Sequence, residues 1–145
     1  MDDRVRAFLE ENHSAAMITL RPDGAPHAAR VGVGLIDGKL WSSGTKGRVR
    51  TKHLRRDPRS TLFVFDSQYR WLALECAVAI LDGPDAPALN LRLFQTLQQS
   101  MTPAPSAGHV MWFGQEKTID EFLRTMVEEQ RLIYQFEVTR SYGMF

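Results

Sequence analysis

The sequence predicts a mainly β domain with helices, built as a six-stranded antiparallel barrel in one 145-residue unit. Six β-prone runs stand along the chain, and short polar turns rather than long crossovers join most of them, which antiparallel pairing requires. Helical periodicity is confined to short segments, the two clearest of which are inserted just before the last strand. With 43% hydrophobic residues and no internal repeat or low-complexity linker, one domain around one core accounts for residues 1–145.

The elements follow in order. Asp2 and Asp3 are cap candidates for a short first helix, whose Val5, Phe8 and Leu9 at i, i+3, i+4 form one narrow apolar stripe. Ala15 to Leu20 reads as a buried strand, and Arg21-Pro22-Asp23-Gly24 as the turn after it. From Pro26 to Ile36, Val31, Val33 and Leu35 alternate with Arg30, Gly32 and Gly34, so the two sets point to opposite faces of a second strand. Asp37-Gly38 is a two-residue hairpin turn, and Lys39 to Ser43 returns antiparallel as the third strand of a meander. One or two helical turns are expected between Arg48 and Arg56, stopped at Asp57-Pro58. Thr61 to Asp66 and Trp71 to Leu81 pair as a second hairpin about Ser67-Gln68-Tyr69. Ala86, Leu89, Leu93, Phe94 and Leu97 share a helix face, and Met101 to Gly108, with two prolines, is a loop. Thr118 and Glu121 form a capping box ahead of Ile119, Phe122, Leu123, Met126 and Val127. Leu132 to Thr139 alternates and closes the set as the last strand.

Net charge is +1, but it is segregated. Residues 46–59 carry seven basic side chains against one acid, a local +6, while the remaining chain holds 11 basic and 16 acidic side chains. A compact positive patch on a mildly acidic domain fits a small bound anion better than a nucleic acid, and no aromatics are interleaved in it to stack bases. Cys76 is the only cysteine, which excludes an intramolecular disulfide and any CxxC motif and makes a reducing compartment the simpler reading. No apolar run approaches the roughly 18 residues of a membrane span, and Met1-Asp2-Asp3-Arg4 lacks the order of a signal peptide, so a cytoplasmic location is expected.

Several chemistries are discarded on spacing. Gly32-Val33-Gly34-Leu35-Ile36-Asp37 has Asp37 where a dinucleotide loop needs glycine, and Gly44-Thr45-Lys46-Gly47 lacks the ending of a nucleotide-hydrolase phosphate loop. His13, His27, His53 and His109 are scattered without ligand spacing, so no metal site is expected. No serine sits in GxSxG, and Cys76 in Leu74-Glu75-Cys76-Ala77 reads as a buried inert thiol. What remains is the basic segment. Arg48, Arg50 and Lys52 are spaced by two, so an extended chain would point all three one way, with the Ser43 hydroxyl beside them. Such a set suits a phosphate or carboxylate, the plain alternative being a solvated basic face. Trp41, Trp71 and Trp112 read on their own as core or interface aromatics.

These residues resemble a known family. Ala16-Met17-Ile18-Thr19-Leu20, Arg21-Pro22-Asp23-Gly24-Ala25-Pro26-His27, Leu40-Trp41-Ser42-Ser43, Arg48-x-Arg50-x-Lys52-His53-Leu54-Arg55-Arg56-Asp57-Pro58-Arg59, Trp71-Leu72-Ala73-Leu74-Glu75 and Tyr142-Gly143 are similar to the flavin/deazaflavin oxidoreductases. These are pyridoxamine-phosphate-oxidase-like, FMN-binding split β-barrels. The branch most resembled binds coenzyme F420, a deazaflavin with a phosphodiester and an oligoglutamate tail.

The resemblance implies a phosphate held by Arg48 and Arg50 with Ser43, and a tail or phosphate contacted by Lys52 and His53. It implies a ring beside the stretch His27, Arg30 and Val31, and an aromatic contact from Trp71. It further implies a homodimer with the site at its interface, and hydride transfer to a small unsaturated or quinone-like acceptor. FMN is the alternative cofactor, and a non-catalytic coenzyme carrier the alternative role. The chain departs from the family pattern at His53, where asparagine is usual, at Arg50, where lysine is common, and at Cys76, where glycine is common. No catalytic acid or base is assigned.

Overall fold

The computed structural model describes residues 1–145. In chain order the elements are α1 (Asp3–Glu11), β1 (Ser14–Leu20), β2 (Pro26–Gly32), β3 (Gly34–Ile36), β4 (Lys39–Thr45), α2 (Val49–Arg56), β5 (Arg59–Phe65) and β6 (Trp71–Leu81). They continue with α3 (Ala86–Leu97), β7 (His109–Trp112), β8 (Gln115–Thr118), α4 (Ile119–Glu128) and β9 (Arg131–Met144). Seven strands form one antiparallel sheet in the order β2-β1-β5-β6-β9-β4-β3. Its two edge strands are consecutive in sequence, separated only by Val33. The sheet must therefore curl until its edges meet, which is the expected barrel, open along one seam.

Six predicted runs become seven strands because the run 26–36 breaks at that seam. Val33 donates its N–H to the His13 carbonyl at 2.8 Å, and its own carbonyl meets His13 Nδ1 at 3.0 Å. Both backbone groups are thus taken by His13 rather than by a neighbouring strand, and the pairing passes from β2 to β3. The hairpin β3–β4 pairs Ile36 with Lys39 around Asp37 and Gly38, both at positive φ, as the Asp-Gly turn predicts. The Trp71–Leu81 strand and the helix 86–97 have the expected extents, whereas the last strand runs on to Met144, with a bulge where it passes Glu75 and Cys76 of β6. A second, two-stranded sheet, β7–β8, is an element the sequence reading lacks.

Three apolar clusters hold these layers together. Inside the barrel, Leu9, Met17, Val33, Leu62, Leu72 and Leu74 lose all measurable exposure, and α1 adds Val5 and Phe8 to them. Each such side chain contributes roughly 1.5–3 kcal/mol of burial. Outside the sheet, Ile36, Trp41 and Ile133 pack on Leu93 of α3. Farther out, Val110 and Trp112 of β7 pack on Phe122 and Met126 of α4. The Thr118–Glu121 capping box forms as expected, which fixes the start of α4. The third layer matters for function, because it walls a cleft against the outer sheet face.

Candidate functional site

The site is assembled from the inside outward. Gly44 of β4 lies under the Tyr134 ring, where an added Cβ would come within 2.3 Å of the ring carbon. Because glycine leaves that space, the buried Tyr134 can reach across β4, and its hydroxyl bonds the Thr51 hydroxyl in the first turn of α2. Thr51 in turn donates to the Thr45 carbonyl at 2.7 Å. These contacts fix the start of α2 at the end of β4, so that Arg48 and Arg50 open onto the cleft. The first amides of any helix lack internal partners and carry partial positive charge, which adds to the two guanidinium groups.

The cleft has a volume of about 490 Å³. Arg30, Ser42, Ser43, Arg48, Arg50 and Arg131, with the apolar Val31 among them, form its polar side, from β2, β4, the start of α2 and the start of β9. Its other side is apolar, built by α3, the following loop and the β7–β8 hairpin through Leu97, Met101, Met111, Trp112 and Phe113. Four arginines line it, and no aspartate, glutamate, histidine or cysteine does. Arg50 Nε is buried with no hydrogen-bond partner. Burial holds the Arg50 pKa below the ordinary arginine value, and the like charges of Arg48 and Arg131 push it the same way against a favourable contribution from Tyr134. Arg131 is paired with Glu129, but Arg30, Arg48 and Arg50 have no acidic partner, and such unbalanced, partly desolvated positive charge beside an apolar wall fits a ligand with one anionic end and one flat apolar part.

The predicted residues separate into three places. Arg30, Val31, Ser43, Arg48 and Arg50 meet in the cleft. Lys52 does not join them, which corrects the extended reading of the Arg48-Arg50-Lys52 spacing. Residues 49–56 are helical, so positions two apart diverge by about 200°, and Lys52 stands exposed on the outside of α2. Ser43 lines the cleft, but its hydroxyl donates to Asn90 Oδ1 of α3 at 2.6 Å. Asn90 is itself fully buried and tied to the Ala86 carbonyl.

His27 and His53 form a separate pair, edge to face with ring centroids 5.3 Å apart, and Thr19 Oγ1 meets His53 Nδ1 at 2.9 Å. Burial keeps the His53 pKa below the usual histidine value, with the charges of His27, Arg56 and Arg21 adding to the effect. Trp71 stacks on Phe63 at 5.3 Å and meets Tyr142 edge-on at 6.3 Å, on strands β5, β6 and β9 rather than in the cleft. Cys76 is buried, and desolvation pushes its thiol up to about 12, as an inert thiol requires.

The local +6 is also smaller at the cleft than in sequence. Arg55 pairs with Asp82, Arg59 with Asp57, and Arg56 donates to the Leu20 carbonyl, so three of the seven cations are engaged elsewhere. Arg131 is the contributor that sequence reasoning missed. The available signal was alternation: it shares a face of β9 with Ile133, which α3 covers, and that face also forms the cleft.

A family model described as pyridoxamine 5'-phosphate oxidase matches residues 1–110. The chain belongs to this family. Within it, the chain is 31% identical over 114 residues to an F420H(2)-dependent biliverdin reductase of Mycobacterium tuberculosis (strain CDC 1551 / Oshkosh), covering 77% of this chain and 80% of the relative. Among solved structures, the conserved hypothetical protein Rv2991 from Mycobacterium tuberculosis superposes with a TM-score of 0.72 at 19% identity, over 99% of this chain and 84% of that one. A structure described as an F420 reductase gives 0.66 at 20% identity, over 94% of each chain. The split-barrel fold is thereby established, and family membership supports a flavin-type cofactor and redox chemistry. Residues 111–145, which supply Trp112, Phe113 and Arg131 to the cleft, lie beyond the matched family model.

Proposed function

We propose that this protein is an oxidoreductase that uses coenzyme F420 to reduce a small conjugated acceptor. The observation that carries the reading is the cleft lined by Arg30, Arg48, Arg50 and Arg131 and by no acidic residue, in which Arg50 also keeps a buried Nε without a hydrogen-bond partner. An anionic cofactor would supply the counter-charge that the lining lacks, and likeness to the biliverdin reductase points to the deazaflavin. When bound, the reduced deazaflavin supplies the hydride that reduces the acceptor. The protein's part is to hold the anionic end through Arg48, Arg50 and the first amides of α2, to lay the ring along Arg30 and Val31, and to exclude water with Leu97, Met111 and Trp112. Lys46 and Lys52 lie outside the cleft and form no ion pair, so they remain free to attract the carboxylates of a glutamate tail.

The same reading includes a homodimer. Phe63, Phe65 and Tyr142 are between 37% and 45% exposed and flank Trp71, an apolar surface of a kind that subunit contacts cover. The test of the activity is to mix the protein with reduced coenzyme F420 and biliverdin, a quinone or an enone, and to follow cofactor oxidation. Acceleration with at least one acceptor is expected. Tight cofactor binding without acceleration by any of a broad acceptor set would favour a carrier.

A further inference from the structure

Arg131 stands at the start of β9, outside both the basic segment and the matched family model. Its side chain is only 9% exposed, yet it lines the cleft. Its guanidinium lies over the Trp112 ring, 4.9 Å from the centroid. Nε and one terminal nitrogen both go to the single oxygen Oε1 of Glu129, at 2.9 and 2.8 Å. The remaining N–H donors have no protein partner, although a guanidinium carries five. On the same polar side of the cleft its charge bears on Arg50, whose own Nε lacks a partner. Two guanidinium groups of like charge lining one cleft, each set against an aromatic ring, Trp112 for one at 4.9 Å and Tyr134 for the other at 5.8 Å, form a preorganised pair for an anion that contacts both.

We infer that Arg131 is a ligand-binding residue of this cleft, gripping a phosphate or carboxylate oxygen together with Arg50, and that Trp112 and Glu129 position it. The anion has two possible sources, the cofactor's phosphate and a carboxylate of the acceptor, and this inference rests on the redox reading only for their names. Arg131→Gln and Arg131→Lys separate charge from the forked geometry. The binding arm compares coenzyme F420 with its phosphate-free deazaflavin core. If the cofactor is the source, Arg131→Gln lowers coenzyme affinity by about 10- to 150-fold, leaves the core's affinity unchanged, and Arg131→Lys recovers only part of the loss. The kinetic arm compares biliverdin with its dimethyl ester. If the acceptor is the source, the variant raises KM for the diacid and not for the ester.

A third arm does not depend on the redox reading. Inorganic pyrophosphate is titrated against tryptophan fluorescence, with Trp112→Phe identifying the responding ring. Weaker pyrophosphate binding in Arg131→Gln upholds the inference even if neither coenzyme F420 nor FMN binds. A variant that keeps the wild-type circular dichroism and melting temperature and leaves all three contrasts unchanged overturns it. Should Arg131→Gln fold poorly, the Arg131→Lys variant decides by the same contrasts.

Discussion

Arg50 allows a test in which stability and binding should move in opposite directions. In Arg50→Met the aliphatic stem can still lie on Tyr134 while the charge and the buried, unpartnered Nε are removed. An unsatisfied buried donor costs about 1–3 kcal/mol. The lost interaction between guanidinium and ring, whose centroid is 5.8 Å away, is worth about 0.5–1 kcal/mol. Relief of repulsion from Arg48 and Arg131 adds to the gain. The ligand-free variant should therefore be more stable by up to about 2 kcal/mol, or a few degrees in melting temperature for a domain of this size. Cofactor affinity should fall by about 1.5–3 kcal/mol, a factor of about 10 to 150. Thermal melts of the ligand-free protein and equilibrium titrations at one fixed salt concentration measure the two effects separately. If the variant melts several degrees lower and binds cofactor within twofold of the wild type, Arg50 is a packing residue and the reasoning fails.

Other expectations follow from the same geometry. Gly44→Ala should destabilise the protein by about 2–3 kcal/mol, because its Cβ must displace the buried Tyr134 ring, and a drop in melting temperature would show this. His53 has a depressed pKa in the folded state, so the unfolded chain binds more protons below about pH 6.5. Stability should consequently be fully present above that pH and decline as pH falls below it, and His53→Asn should flatten the decline in denaturant titrations at pH 5 to 7. With its thiol near 12, Cys76 should react with a thiol reagent at pH 8 far more slowly in the native than in the urea-unfolded protein. If the proposed dimer uses the exposed aromatic face beside Trp71, the wild type should sediment as a dimer and Phe63→Glu, which charges that face, as a monomer; a monomeric wild type or an unchanged dimer would contradict this.

The strands were legible because their alternation is strong: burial alternates along β1 and β5, and the Asp-Gly turn specifies its own hairpin. The β7–β8 hairpin was not, since Gln115-Glu116-Lys117-Thr118 is polar on both faces and its pairing is set by the Phe113-Gly114 turn, with both residues at positive φ. The phase of α2 was hidden for a different reason. Val49-Arg50-Thr51-Lys52-His53-Leu54-Arg55-Arg56 has almost no apolar period, and what orients it is a tertiary contact of Thr51 with Tyr134, 83 residues away. Arg48 and Arg50 could therefore be named from their chemistry, whereas the outward turn of Lys52 and the inward one of Arg131 depend on the packed layers around them.

The central claim is that the arginine cleft holds an anionic deazaflavin. Equilibrium binding of coenzyme F420 and of FMN to the purified protein, at one ionic strength and with tail-length variants of the deazaflavin, tests it most directly. The account predicts that coenzyme F420 binds more tightly than FMN, that affinity rises with the number of glutamates, and that added salt weakens it. Equal or tighter binding of FMN, with no response to tail length, would contradict it.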